Sequence, residues 1–132
     1  MNYPVKHICI TINQPMHKVY EFTSDPNNLP LWAAGLAKSK LQQSGENWII
    51  ESPMGTVKVK FAKKNDYGII DHYVTLPSGE ENYNPLRVFL NGEGSEIIFS
   101  VFHLPRMTEK DFKEDSERVY EDLKKLKEIL EN

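Results

Sequence analysis

The sequence predicts a single α+β domain over residues 1–132, in which a curved antiparallel sheet of seven strands wraps around a long C-terminal helix. Three observations predict this arrangement. Apolar and polar residues alternate near the N-terminus, turn-forming residues recur about every ten residues from Ala37 to Leu104, and a helical apolar period ends the chain. A chain of 132 residues has the usual length of one domain with one core.

The N-terminal part predicts one strand followed by two short helices. Isoleucine occupies every second position from Ile8 to Ile12, which is the period of a strand with one buried face. Helical spacing begins after Pro15 and must stop before Pro26, because proline disfavours helix in the residue that precedes it. The apolar segment from Asn28 to Leu36 predicts the second short helix.

The central part predicts an antiparallel meander of six further strands. Five segments rich in Gly, Pro, Asn and Ser separate them. These segments are Ser44–Asn47, Pro53–Gly55, Lys64–Asp66, Pro77–Gly79 and Asn91–Gly94. The clearest alternation is that of Val57, Val59 and Phe61 with lysines, which predicts one dry face and one wet face.

The C-terminal segment predicts one amphipathic helix. Thr108 is a suitable N-cap, and Glu109 and Asp111 place negative charge at the positive end of the helix dipole. Apolar residues then recur every three or four positions, at Phe112, Val119, Tyr120, Leu123, Leu126 and Leu130. A helix of about 22 residues is about 33 Å long.

Composition and charge exclude several classes of protein. A formal charge of -3 argues against a nucleic-acid partner, and no apolar run is long enough to predict a membrane span. A lone Cys9 and an N-terminus without a signal-like pattern favour a cytoplasmic location. The scattered histidines predict no metal site, and the absence of a glycine-rich phosphate loop predicts no nucleotide cofactor.

The predicted elements leave a space inside the domain. A helix is about 10 Å across, whereas seven strands at about 4.8 Å each span roughly three times that width. The sheet must therefore curl around the helix, and we expect a cavity between them.

The order of these elements and several short segments also resemble a known superfamily. The chain is similar to the START-like, or Bet v 1-like (SRPBCC), superfamily, in its polyketide cyclase/dehydrase-like branch. The segments that carry the resemblance are Ile10–Pro15, Val19–Tyr20, Asp25–Pro26, Leu29, Trp32, Gly68–Val74, Asn84–Val88, Asn91–Glu96 and Asp122–Lys127. The resemblance implies a helix-grip fold with a ligand cavity, and it implies no universal catalytic residue.

Two residues are candidates for catalysis. His72 shares a strand phase with Ile70 and Val74, so it is expected to face the cavity, either as a structural histidine or as a ligand contact or general base. Arg87 would stabilise an oxyanion if it faced inward, but its alternation with Leu86 and Val88 favours an outer ion pair with Asp71 or Glu96. Neighbouring strand residues point to opposite faces, which disfavours an Asp71–His72 dyad.

The expected ligand contacts are mostly aromatic or apolar side chains. They are Trp32, Trp48, Phe61, His72, Val74, Phe99, His103 and Tyr120. Trp32 is singled out because its short helix is expected to lie near the cavity mouth, where an indole can stack on a ligand.

Three functions remain open at this point. The leading hypothesis is non-catalytic binding of a small hydrophobic ligand that is lipid-, polyketide- or isoprenoid-like. The second is a cyclase or dehydratase that uses the same cavity, with His72 and Arg87 as its candidates. The third is a protein-interaction module without a ligand, and the sequence leaves the oligomeric state, including a homodimer, open.

Overall fold

A computed structural model describes residues 1–132 and contains eight strands and three α-helices. The first part comprises β1 (Val5–Ile12), α1 (Met16–Thr23), α2 (Leu29–Trp32), β2 (Lys40–Ser44), β3 (Asn47–Ser52) and β4 (Gly55–Phe61). The second comprises β5 (His72–Thr75), β6 (Glu81–Asn84), β7 (Leu86–Asn91), β8 (Gly94–Phe102) and α3 (Glu109–Glu131). Short 3₁₀ turns at Pro26–Asn28 and Ala34–Leu36 flank α2.

The strands form two antiparallel sheets, so the prediction of seven strands in one sheet is wrong. One sheet has the order β1-β8-β7 and the other the order β2-β3-β4-β5-β6. The extra strand arises at Pro85, which separates β6 from β7 and has no N–H to donate to a ladder. The next N–H, that of Leu86, donates to the Asp71 carboxylate at 2.9 Å. The chain therefore leaves β5 and joins β8 at this point.

A short crossing keeps the two sheets joined. The Ile70 N–H donates to the Leu86 carbonyl at 2.7 Å, and the Val88 N–H donates to the Gly68 carbonyl at 2.9 Å. Gly68 has a φ of +75°, and a Cβ there would lie 2.0 Å from the Val88 carbonyl oxygen. Only glycine fits this crossing, which brings the start of β5 against β7.

Both ends of α3 are fixed. The Thr108 hydroxyl accepts from the Asp111 N–H at 3.0 Å, and the Asp111 carboxylate accepts from the Thr108 N–H at 3.1 Å, so the predicted N-cap is part of a capping box. At the other end the Gln14 side chain donates to the Leu130 carbonyl at 2.7 Å. The helix therefore runs along the inner side of β1 with its C-terminus at the end of that strand.

The interior differs between the two halves of α3. In the C-terminal half, Leu123, Leu126 and Leu130 are buried with Ile12 and Ile97 of the first sheet, and we call this region the closed end. In the N-terminal half, Ser116 is buried but the inward-facing apolar residues of α3 and several apolar residues opposite them are only partly buried, and we call this region the open end. Its members are Phe112 and Val119 of α3, Phe99 of β8, Val74 of β5 and Phe61 of β4.

Tyr120 does not share the inward face predicted for it. Its residue surface is 46% exposed, and the Lys124 ammonium lies 5.4 Å from the ring centroid. The physical reason is that β1 is an edge strand, so a side chain on that flank of α3 extends past the sheet. Tyr120 instead lines an outer groove with Lys6, Ile8 and Glu117.

Candidate functional site

A surface cleft lies beside the start of α3, next to the open end, and we call it the entrance cleft. It has a volume of about 610 Å³, within the usual range for ligand pockets. Its walls come from β6, from the end of β8, from the turn before α3, and from α3 itself. They include Asn82, Asn84, Val101, Arg106, Met107 and Asp115.

His72 is held behind this cleft in one orientation. Its ring lies 5.0 Å from the Phe61 ring and 5.8 Å from the Phe99 ring, between centroids. Its Nδ1 lies 3.0 Å from the Ile70 carbonyl oxygen. Because a carbonyl only accepts, Nδ1 carries the proton in the neutral ring and Nε2 is an acceptor. Burial lowers the pKa of His72, so the ring is neutral at neutral pH.

The free nitrogen of His72 borders accessible space. Nε2 has no hydrogen-bond partner in the chain. The side-chain atoms that are both fully buried and without a partner are Thr23 Oγ1, Ser24 Oγ, Trp32 Nε1 and Ser39 Oγ. Nε2 of His72 is not one of them, so it is not fully enclosed. An unpartnered nitrogen that is not fully enclosed is open to a ligand.

Asn84 connects His72 with the entrance cleft. The two residues are direct partners across β5 and β6, so their side chains leave the sheet on the same face with Cβ atoms about 4.5–5.5 Å apart. Asn84 lines the cleft and its carboxamide forms no hydrogen bond within the chain. Asn84 therefore lines the cleft, and His72 is its neighbour on the inner face of the sheet.

Arg87 lies on the outer face, away from His72. Its guanidinium pairs with the Asp71 carboxylate at 3.0 Å, which is one of the two outer pairs that the sequence favours. Burial raises the pKa of Asp71, but hydrogen bonds from Arg87, the Leu86 N–H and the Tyr83 hydroxyl outweigh it and lower that pKa below its usual range. The two candidate catalytic residues therefore do not converge on one point.

The other predicted contacts are divided among several places. Trp48 and Phe61 line a second cleft of about 680 Å³, next to the end of β4. Trp32 is buried on α2. The His103 ring stacks on Phe112 with centroids 4.7 Å apart, and its Nε2 lies 2.9 Å from the Met107 carbonyl, so it holds the turn that begins α3.

Sequence reasoning missed the polar residues of the entrance cleft. Asn82 and Asn84 share their strand phase with Leu86 and Val88, which are buried. This alternation of even-numbered residues was a usable signal, since side chains two apart lie on the same face. The indication in the sequence that Asp115 lines the cleft is weaker, because a carboxylate on an amphipathic helix normally marks the solvent-exposed face.

The basic residue of the entrance cleft is already neutralised. Arg106 forms an ion pair with Glu80 and donates to the Asn82 side chain at 3.2 Å. Asp115 accepts from Arg118 at 2.7 Å. Arg106 is the one basic residue among those that line the cleft. The cleft therefore offers no unpaired cation to a ligand.

Comparisons with known proteins give a consistent fold. No family model matches the chain, and no curated protein matches it in sequence. Among solved structures, XoxI from Bacillus cereus aligns with a TM-score of 0.73 at 17% identity, over 100% of this chain and 97% of that one. Ara h 8.0201 aligns with a TM-score of 0.71 at 15% identity, over 98% of both chains.

A third match is a larger protein. DynU16, from the dynemicin biosynthetic locus, aligns with a TM-score of 0.74 at 12% identity over 97% of this chain and 47% of that one. No helix of the chain has the length and apolar character needed to cross a membrane. The α+β architecture, the long C-terminal helix and these structural neighbours confirm the fold that the resemblance implies: the chain has a Bet v 1-like, helix-grip fold.

Proposed function

We propose that the chain binds a small hydrophobic molecule at the open end, between the N-terminal half of α3 and the inner faces of the two sheets. The observation that carries the proposal is the exposure of Phe99. This residue faces inward from β8, the central strand of its sheet, yet it is only partly buried. A large apolar side chain in that position is covered in a fully packed core, so the partial exposure of Phe99 supports a space beside it.

The lining of this space supports an apolar guest. Phe61, Phe99 and Phe112 present aromatic surface, and Val74 and Val119 present aliphatic surface. A pocket that is mostly apolar, with a few convergent polar groups, is the usual form of a small-molecule site. The Bet v 1-like fold is one that binds small ligands, which favours the same function without identifying the ligand.

The catalytic alternative lacks a second group. The cyclase or dehydratase hypothesis requires His72 and an oxyanion partner within hydrogen-bond reach of one reacting atom. Arg87 is engaged with Asp71 on the outer face. The surroundings of His72 provide a carboxamide from Asn84, but no second titratable group lies opposite it in the strand register. We therefore propose binding rather than catalysis.

The proposal is tested first with protein purified from its own cells. Native mass spectrometry should detect a bound apolar molecule on this protein, and solvent extraction should recover it. The purified and extracted chain should then bind 1-aminoanthracene, a neutral apolar fluorophore. If neither an extracted molecule nor probe binding is found, the proposal is wrong.

A pair of neighbouring substitutions on α3 locates the site. Val119→Trp places an indole in the open end, and we expect probe affinity to fall by about tenfold or more because the space is filled. Tyr120→Trp places the same indole one residue later, on the exposed flank, and should leave affinity unchanged. Circular dichroism would check that both variants fold. A loss of affinity only in Tyr120→Trp would place binding in the outer groove and contradict the proposal.

A further inference from the structure

We infer that His72 and Asn84 select a ligand that is neutral and carries a hydroxyl group, and that this hydroxyl lies between them. The inference rests on the proposed function, because it describes the ligand of the same site. It adds a chemical class, a neutral alcohol or phenol with an apolar body, and it names the two residues that recognise it.

The two polar groups are complementary to one hydroxyl. The Ile70 carbonyl fixes the proton on Nδ1 of His72, so Nε2 offers a lone pair and no N–H. The Asn84 carboxamide offers two N–H donors and one acceptor. A ligand hydroxyl can donate to Nε2 and accept from the Asn84 amide at the same time. Both protein groups have no partner in the chain, so a hydroxyl satisfies groups that an alkane leaves unpaired.

The position of the imidazole is fixed before a ligand arrives. Phe61 and Phe99 pack against the ring, and the Ile70 carbonyl holds one of its nitrogens. An acceptor that is already oriented loses little conformational freedom on binding. The surrounding apolar walls also strengthen the discrimination, because a buried polar group that stays unpaired costs free energy.

Charge argues against a carboxylate in the same place. Arg106, the basic residue of the entrance cleft, is paired with Glu80 and hydrogen-bonded to Asn82, and the carboxylate of Asp115 is itself paired with Arg118. The neutral Nε2 of His72 is an acceptor and repels a carboxylate oxygen. A fatty-acid type of anion would therefore find no free cation in the cleft, and only the Asn84 amide, not Nε2 of His72, could donate to it.

The test uses three probes with the same rings: naphthalene, 1-naphthol and 1-naphthoate. Equilibrium dialysis gives a Kd for each with the full chain and with two variants, His72→Phe and Asn84→Leu. His72→Phe keeps an aromatic ring between Phe61 and Phe99 while it removes Nε2. Asn84→Leu keeps a side chain of similar size while it removes the carboxamide.

The informative quantity is the Kd of naphthalene divided by that of 1-naphthol. We expect this ratio to fall about tenfold in His72→Phe and severalfold in Asn84→Leu, with the Kd of naphthalene nearly unchanged in both. In the unsubstituted chain 1-naphthoate should bind more weakly than 1-naphthol.

Each other outcome overturns a specific claim. If naphthalene binds but the ratio is unchanged in both variants, or if 1-naphthoate binds most tightly, the hydroxyl inference is wrong and the proposed function survives. If none of the three probes binds the unsubstituted chain, both are wrong. Asn84→Leu gives the answer independently if His72→Phe fails to fold.

Discussion

The closed and open ends of the domain are built from the same three elements, β1, β8 and α3, but they are completed differently. At the closed end the inward positions are aliphatic, and Leu123, Leu126 and Ile97 have no exposed surface. At the open end aromatic and polar side chains join the aliphatic ones, and Phe99 and Val119 stay partly exposed. One helix can therefore serve as a core element in one half and as the wall of a binding site in the other.

The polar groups of the two ends show the same contrast. Ser95 faces inward at the closed end, and its hydroxyl donates to the Gln14 carbonyl at 2.7 Å. His72 and Asn84 face inward at the open end, and each retains an unused hydrogen-bonding group. Buried polar groups are normally paired within the protein, and a ligand at the open end can supply the partners that His72 and Asn84 lack.

The largest expected effect is on the stability of the closed end. Leu126→Ala removes a side chain with no exposed surface, and we expect the free energy of unfolding to fall by about 3–5 kcal/mol because a cavity remains. Urea unfolding followed by circular dichroism would measure it. Binding of 1-aminoanthracene under native conditions should persist in this variant. A loss below about 1 kcal/mol would show that the closed end is not tightly packed.

A size-matched pair compares the ends directly. Val88→Ala at a buried position of β7 should lower the free energy of unfolding by about 2 kcal/mol, whereas Val74→Ala at the open end should lower it by under about 1 kcal/mol. The same deletion costs less where the side chain already borders open space. Equal losses in urea unfolding would remove the distinction between the ends.

A smaller effect concerns Asp122, which lies on α3 between the two ends and accepts from the Ala34 N–H at 3.2 Å. Burial raises the pKa of Asp122 to about 6, above its ordinary 3.8. The folded state then binds the proton more tightly than the unfolded state, so this group makes stability fall as pH rises from about 4 to about 6.

Asp122→Asn keeps an acceptor for the Ala34 N–H and removes the titration. The Tm of the variant minus that of the unsubstituted chain should increase over this pH range and then level off. Taking the difference cancels other carboxyl groups, including Asp71, whose lowered pKa acts in the opposite direction. A difference that stays constant from pH 4 to 6 would contradict the assignment.

Local patterns were sufficient for most of the fold. The alternation in β1 and β4, the N-cap at Thr108 and the period of α3 each depend on residues close in sequence, and each could be predicted. The division into two sheets could not be predicted in this way, because the Leu86 N–H finds its acceptor on Asp71, 15 residues away. Pro85 is the local sequence feature that accompanies the division into two sheets. The prediction did not treat it as a boundary between strands.

The site was predictable only in part. Strand phase correctly separated an inward His72 from an outward Arg87 and Asp71. The same strand phase would have placed Asn84 on the inner face together with His72. Only the pairing of β5 with β6 shows that the two residues lie opposite each other. The prediction that Tyr120 faces inward was wrong for another reason. Helical periodicity identifies the apolar face of a helix, but it does not reveal where the neighbouring sheet ends.

The central claim, an interior that is open at one end and closed at the other, is tested most directly by methyl NMR with 1-aminoanthracene. Titration should shift the methyl signals of Val74 and Val119 at the open end and of Val101 in the entrance cleft, and leave those of Ile12, Ile97 and Leu126 unchanged. Shifts confined to outer-face methyls such as those of Val5 and Ile98, or no shifts at saturating probe, would contradict it.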